Sequence, residues 1–90
     1  MSHFELLGHV GKVMDLSYRS DGKQLASAGL DTSVWMWDLT AADPSASAVV
    51  LRGFDSPIYT VDYSPDDRCL VAGCRSGKVV AWDLRVAALM

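Results

Sequence analysis

The chain has 90 residues, half of them apolar and 21% charged, with a formal net charge of −3. This composition is too apolar for a disordered segment, and the lack of a Lys/Arg run argues against a nucleic-acid partner, which needs clustered positive charge. No apolar run approaches the length of a membrane span and no secretory signal is visible, so we expect a cytoplasmic or nuclear protein with no membrane partner and no cofactor.

Turn residues divide the first half of the chain into short extended segments. The first segment starts at Val13 and stops at Ser20-Asp21-Gly22, whose residue types favour a tight turn. Further strands are predicted over Gln24 to Ala28 and over Ser33 to Asp38, the latter apolar on both faces and therefore buried on both. A fourth strand, Ala46 to Leu51, follows a polar loop.

The second half repeats this pattern after a shift of 45 residues. Leu6 to Leu39 lies over Leu51 to Leu84 without a gap, and nine pairs are identical, among them Tyr18/Tyr63 and Trp37/Trp82. The copied strands are Ile58 to Tyr63, Cys69 to Gly73 and Lys78 to Asp83. Short strands recurring at this period, with no helical periodicity, predict one antiparallel sheet per repeat.

Two cysteines, Cys69 and Cys74, fall on one predicted strand. Their odd spacing places the side chains on opposite faces, which argues against a disulfide between them. A zinc site would need two more ligands, and the nearest histidine in sequence is His9. We therefore predict two reduced core thiols and no bound metal.

The repeat also carries a family resemblance. Leu7-Gly8-His9, then Ser20 to Ser27, Asp31 and Trp37-Asp38 resemble a full WD repeat, and Gly53, Ser64-Pro65-Asp66, Leu70 and Trp82-Asp83 resemble a more diverged one. The resemblance covers nearly the whole chain. It implies an all-β fold of two four-stranded antiparallel β-propeller blades, in a ring completed by other copies or chains.

Three residues of the first repeat could be mistaken for a hydrolase triad. His9, Ser27 and Asp31 supply the right side chains, but no glycine-flanked nucleophile turn accompanies Ser27. The WD resemblance instead implies a structural hydrogen-bond network of His9, Ser27 and Asp31 with Trp37, so we expect no enzyme. In the second repeat Phe54, Ala72 and Ser76 occupy the first three positions.

The resemblance also implies an offset between sequence repeats and blades. Residues 1–7 are then the outer strand of a neighbouring blade, residues 8–51 the first repeat, and residues 52–90 a second repeat that lacks its outer strand. The predicted assembly strand is His3, Phe4, Glu5 and Leu6. Since a ring needs roughly four to eight blades, head-to-tail assembly would take about three or four copies. In a competing arrangement the chain belongs to a larger or split propeller. In another, Val86 to Met90 forms a short outer strand.

Propellers of this family bind partners at the loops before the first strand and the turns between the second and third. The matching positions here are Lys12, Met14, Leu30, Pro57, Tyr59 and Arg75. Their mixture of apolar, aromatic and basic side chains is typical of protein interfaces. We therefore expect a non-catalytic scaffold that binds a protein or peptide. The alternatives are a purely architectural or designed self-assembling unit, or a fragment of a larger WD-repeat protein.

Overall fold

A computed structural model describes residues 5–85 and 88–89 of the chain, and all regular structure in this part is β-strand. The segments 34–38 and 58–63 are rich in β-branched and aromatic residues, as β-propensity favours, whereas 24–29 contains none and is a strand because it pairs on both sides. The strands are β1 (Val13–Tyr18), β2 (Gln24–Gly29), β3 (Val34–Asp38), β4 (Val49–Leu51), β5 (Ile58–Tyr63), β6 (Cys69–Cys74), β7 (Val79–Asp83) and β8 (Ala88–Leu89).

The strands form two antiparallel sheets in which neighbours in sequence are neighbours in space. The first sheet has the order β1-β2-β3-β4 and the second the order β5-β6-β7-β8. The register repeats as well as the order, because Leu25 pairs with Trp37 and Leu70 pairs with Trp82. The prediction of an all-β chain with one antiparallel sheet per repeat is confirmed.

The outermost strands differ from the sequence expectation. The strand β4 is shorter than predicted, because the N–H groups of Ala46 and Ser47 bond back to Asp43 in a local turn. In the second sheet β8 pairs with β7 at the position that was expected to be empty. The strand Ala88–Leu89 therefore agrees with the alternative that placed a short outer strand within Val86 to Met90, of which the other residues lie outside the described part. The physical reason is that an open strand edge presents unpaired backbone groups, which nearby backbone can satisfy.

The N-terminal segment is the other point of difference. Glu5 and Leu6 belong to no strand of this chain, and the next residue, Leu7, donates its N–H to Ser45 Oγ at 3.0 Å. His3 and Phe4 of the predicted assembly strand lie outside the described residues. Pairing of this segment with a neighbouring blade therefore stays a prediction.

One face of the first sheet packs against one face of the second. The alternation of side chains along β2 and β6 sends Ala26 and Ala28 from one side, and Leu70 and Ala72 from the other, into a shared core where each is at most 1% exposed. Cys74 lies in this core, and Cys69 lies at the opposite end of β6. Both cysteines remain thiols.

Polar side chains of the first sheet join it to the innermost strand of the second. Asp15 accepts the N–H of Val61 at 3.0 Å, and Ser17 Oγ accepts the N–H of Tyr63 at 3.3 Å. The hydroxyl of Tyr63 bonds to Gln24 Oε1 at 2.8 Å. Burial raises the pKa of Tyr63 to about 12, so this phenol remains a donor at neutral pH. These bonds set the register between the sheets, which apolar packing alone fixes less tightly.

The two tight turns before β2 and β6 are built differently. The first has Gly22 at a φ of 72°, whereas the second has Asp67 at a φ of 60°. A left-handed residue other than glycine costs about 1 kcal/mol, although aspartate tolerates it better than most residues. Asp67 has a second role, because its carboxylate accepts the N–H of Ser20 at 3.1 Å and also bonds the Ser20 hydroxyl. The strained turn thus joins the two sheets at the end where β2 and β6 begin, which we call the lower end.

Candidate interaction surface

The structure brings His9, Ser27, Asp31 and Trp37 into one hydrogen-bonded chain. His9 Nδ1 lies 3.0 Å from Asp31 Oδ2, and His9 Nε2 lies 2.7 Å from Ser27 Oγ. Trp37 Nε1 donates to the same Ser27 oxygen at 2.8 Å. The loop before β1, strand β2, the turn after it and strand β3 each supply one member.

Donor rules give this chain a single direction. An ionised Asp31 only accepts, so His9 Nδ1 must carry the proton and, in a neutral imidazole, Nε2 must accept. The indole of Trp37 only donates, so the Ser27 hydroxyl proton points toward His9. Every polar atom is then satisfied, as a buried network requires.

Asp31 is the centre of a wider set of bonds that sequence reasoning missed. Besides His9, its carboxylate accepts the N–H of Val10 at 2.9 Å and the hydroxyl of Ser33 at 2.8 Å. Ser33 Oγ in turn accepts the indole N–H of Trp35 at 2.9 Å, and the Trp35 ring stacks on Trp37 with centroids 5.1 Å apart. Two signals pointed to these residues. Ser33 lies two positions after a turn aspartate, and Trp35 lies two positions before Trp37, on the same face of its strand.

The second repeat supports its equivalent loop by other contacts. The ring of Phe54, at the position of His9, packs on Trp82 with centroids 4.7 Å apart. Asp55 forms an ion pair with Lys78 at 3.1 Å, and Ser76 donates its N–H to Ser56 Oγ at 3.2 Å. The Asp55–Lys78 pair is about half exposed on each side, and ion pairs in that environment contribute at most about 1 kcal/mol. Among the described residues of the second repeat, no buried polar network corresponds to that of the first blade.

The six predicted contact residues lie at one end of the two sheets. This upper end is formed by residues 9–14, 29–34, 52–59 and 74–79, where β1, β3, β5 and β7 begin. Lys12 O accepts the N–H of Leu30 at 3.0 Å, and Pro57 O accepts the N–H of Arg75 at 2.9 Å. The same backbone bond therefore joins the same two loops in both repeats.

The remaining two contact residues occupy β-bulges. The β1–β2 register shifts between Val13 and Asp15, and the β5–β6 register shifts between Ile58 and Thr60, so Met14 and Tyr59 are left unpaired. Their side chains are 44% and 43% exposed. Asp15, next to Met14, bonds to Val61, two residues after Tyr59. The two bulges therefore lie on neighbouring strands, β1 and β5, at the boundary between the sheets.

The WD40 family model, described as "WD domain, G-beta repeat", matches residues 2–38 and 46–83. This chain belongs to the WD40 repeat family. It is 37% identical over 79 residues to the protein named Target of rapamycin complex subunit wat1 of Schizosaccharomyces pombe. That match covers 86% of this chain and 23% of the relative. The chain thus spans about a quarter of the length of this curated relative.

The hydrogen-bond network of the first blade, which we call the WD40 network, connects aspartate, histidine and serine in the same order as a hydrolase triad. Ser27 is nevertheless poorly placed for nucleophilic attack. Its side chain is only 2% exposed, and its oxygen already accepts the Trp37 N–H. Within the described residues, no group of three or more His, Cys, Asp or Glu side chains could hold a metal ion. Residues 5–85 and 88–89 form no helix that could cross a membrane.

Acid is expected to weaken the WD40 network through Asp31. Burial opposes ionisation of this carboxyl, but bonds from Val10, Ser33 and His9 outweigh burial and hold its pKa below the ordinary value of 3.8. A carboxyl with a lowered folded-state pKa stabilises the fold above its unfolded pKa, and this stabilisation is lost as the pH falls through the folded value. We expect the free energy of unfolding to fall below about pH 4 and to fall less steeply in Asp31→Asn. Urea unfolding across this pH range measures both, and equal slopes would contradict the expectation.

Proposed function

We propose that this chain is a non-catalytic scaffold that binds a protein or peptide at the upper end of its two blades. The observation that carries the proposal is the pair of bulges on the neighbouring strands β1 and β5 that expose Met14 and Tyr59. A bulged side chain can project from a strand end without taking part in strand pairing. Partly exposed aromatic and Met side chains on a rigid frame are common anchors of protein interfaces.

The support beneath this surface favours binding over catalysis. The Asp31 network fixes the loop that carries Lys12 and the turn that carries Leu30, so these residues need little ordering when a partner binds. Within that network the serine bonded to a histidine is Ser27, and its hydroxyl is already engaged in structural hydrogen bonds with His9 and Trp37. The relative named above is described as a subunit of a complex, which agrees with a role in protein assembly.

The same proposal includes further blades on both sides of the pair. The outward face of the first sheet leaves Leu16 57% and Tyr18 63% exposed, and that of the second leaves Val71 37% and Val79 70% exposed. Each uncovered face is the 45-residue equivalent of one that is buried between the two sheets. Exposed apolar sheet faces of this kind are unstable in water. We infer that blades from a longer chain or from other copies cover them and close the ring.

Affinity capture tests the binding part of the proposal. The chain is expected to retain proteins that are lost when Lys12→Ala and Tyr59→Ala are combined, because both side chains belong to the upper end. The matched control combines Lys23→Ala with Arg68→Ala, at the lower end, and should retain the same proteins. A capture pattern that is identical in both variants contradicts the proposed surface.

Light scattering tests the assembly part. If copies cover one another's faces, the native mass corresponds to about three or four chains, and Leu16→Lys shifts it to that of one chain. A folded single chain shows that copies do not associate and that the further blades belong to a longer chain or to another polypeptide. Circular dichroism of Leu16→Lys is the control that the sheets remain formed.

A further inference from the structure

Charged side chains of opposite sign are separated between the two ends of the blades. The upper end carries four basic and two acidic side chains, namely Lys12, Arg52, Arg75 and Lys78 with Asp31 and Asp55. The lower end, formed by residues 18–24, 38–48, 63–69 and 83–85, carries six acidic and four basic side chains: Asp21, Asp38, Asp43, Asp66, Asp67 and Asp83 with Arg19, Lys23, Arg68 and Arg85. The upper end is therefore positive, although the whole chain is negative.

The basic residues of the two ends also differ in their surroundings. At the lower end each arginine lies beside an aspartate, with N–O distances of 2.8 Å for Arg19–Asp21, 3.8 Å for Arg68–Asp66 and 2.9 Å for Arg85–Asp83. At the upper end Lys78 pairs with Asp55. The part of the chain that the structure describes shows no ion pair for Lys12, Arg52 or Arg75.

The acidic groups of the upper end are already occupied. Asp31 is bonded by His9, Val10 and Ser33, and Asp55 by Lys78. They can do little to neutralise Lys12 and Arg75, whose side chains are exposed. The upper end thus carries an excess of positive charge for an external acid to neutralise, whereas the lower end, where Lys23 also has no ion pair with any described residue, carries an excess of negative charge.

The unpaired cations lie next to the exposed apolar side chains. Lys12 is two residues from Met14 and bonds through its backbone to Leu30, while Arg75 bonds through its backbone to Pro57, two residues from Tyr59. Because Asp15 bonds to Val61, β1 and β5 are neighbours across the blade boundary, and the two groups lie at the same end of these strands. Each group combines one unpaired cation with apolar side chains, and we call the two groups together the basic rim: Lys12, Met14, Leu30, Pro57, Tyr59 and Arg75.

We propose that the basic rim binds an acidic peptide segment that carries at least one large apolar side chain. This inference rests on the proposed function and names the chemistry of its partner. Complementary charge increases the association rate and excludes partners of the wrong sign, while the apolar side chain packs at Met14 and Tyr59. A nucleic acid fits less well, because phosphate binding needs a denser row of cations than Lys12, Arg75 and Arg52 provide.

A selection from a displayed library of random peptides tests the inference on the full chain. Peptides retained by the chain should be enriched in Asp, Glu and large apolar residues. Their affinity should fall about tenfold or more, and become less sensitive to salt, when Lys12→Glu and Arg75→Glu are combined. The matched control combines Lys23→Glu with Arg68→Glu. It changes the net charge equally at the lower end and should leave affinity nearly unchanged. Circular dichroism checks that both variants fold.

Each other outcome overturns the inference in a distinguishable way. Retained peptides that are neutral or basic, yet lost in Met14→Ala combined with Tyr59→Ala, contradict the acidic partner and leave the scaffold function standing. An equal loss in both charge variants shows a net-charge effect without a specific rim. No retained peptide contradicts the scaffold function as well. A single-stranded RNA oligonucleotide that binds more tightly than the acidic peptides, with the same dependence on Lys12 and Arg75, assigns the rim to phosphate.

Discussion

Replacing Asp31 with alanine is expected to destabilise the chain by about 3 kcal/mol. The change removes the acceptor for His9 Nδ1, the Val10 N–H and the Ser33 hydroxyl at once. The side chains of His9 and Asp31 are only 6% and 14% exposed, so water cannot fully replace the lost acceptor. Urea denaturation followed by circular dichroism measures the change in unfolding free energy.

The second repeat supplies a matched control for this substitution. Ser76 occupies the position equivalent to Asp31, but its hydroxyl makes one exposed contact with Asp55 at 3.5 Å. Its N–H bond to Ser56 uses the backbone and survives a change of side chain. Ser76→Ala should therefore change stability by less than about 0.5 kcal/mol. Equal losses from the two substitutions would contradict the view that only the first blade depends on a polar network.

Leu70→Ala is expected to cost about 3 kcal/mol, because it opens a cavity where the two sheets meet. Leu70 is 1% exposed and lies in the core shared by both sheets. It pairs with Trp82 on β7 and with Tyr63 on β5, so neighbouring strands hold the cavity open. For a chain with so small a core, we expect the midpoint of urea unfolding to fall sharply.

The adjacent residue provides the control for the loss at Leu70. Val71 is on the same strand but faces the opposite side of the sheet, where it is 37% exposed. Val71→Ala removes apolar surface that is partly hydrated already, so its cost should stay below about 1 kcal/mol. Once further blades cover that face, the cost should rise toward that of a buried valine. If Val71→Ala costs as much as Leu70→Ala in the isolated chain, the face of β6 that carries Val71 is buried as well, which contradicts the expectation.

The strands and their grouping into one antiparallel sheet per repeat could be predicted because they depend on local and periodic signals. Alternation along Gln24 to Ala28 and its copy after 45 residues determines which side chains share a face. Turn residues at Ser20-Asp21-Gly22 and Ser64-Pro65-Asp66 mark where each hairpin reverses. These features need no knowledge of distant contacts, so the sequence was sufficient for them.

Features that depend on distant contacts could not be predicted in this way. Besides forming a turn, Asp67 accepts hydrogen bonds from Ser20, which is 47 positions away in sequence and comes close only in the folded chain. The direction of the hydrogen bonds through Ser27 depends on Trp37 and His9 approaching one oxygen together. The positive sign of the upper end was likewise hidden, because the net charge of the chain is −3 and only the fold separates its contributions. A short pairing such as β8 has too little sequence for any periodic signal.

The two β-bulges have a consequence for how recognition can change. Residues 14 and 59 oppose no partner residue on the neighbouring strand, so strand pairing places little constraint on the side chain at either position. Substitution there can alter the exposed chemistry of the blade while the core and the hydrogen-bonded loops beneath it are retained. On the binding surface proposed above, recognition and folding would depend on separate positions, which would let closely similar blades acquire unrelated partners through a few changes.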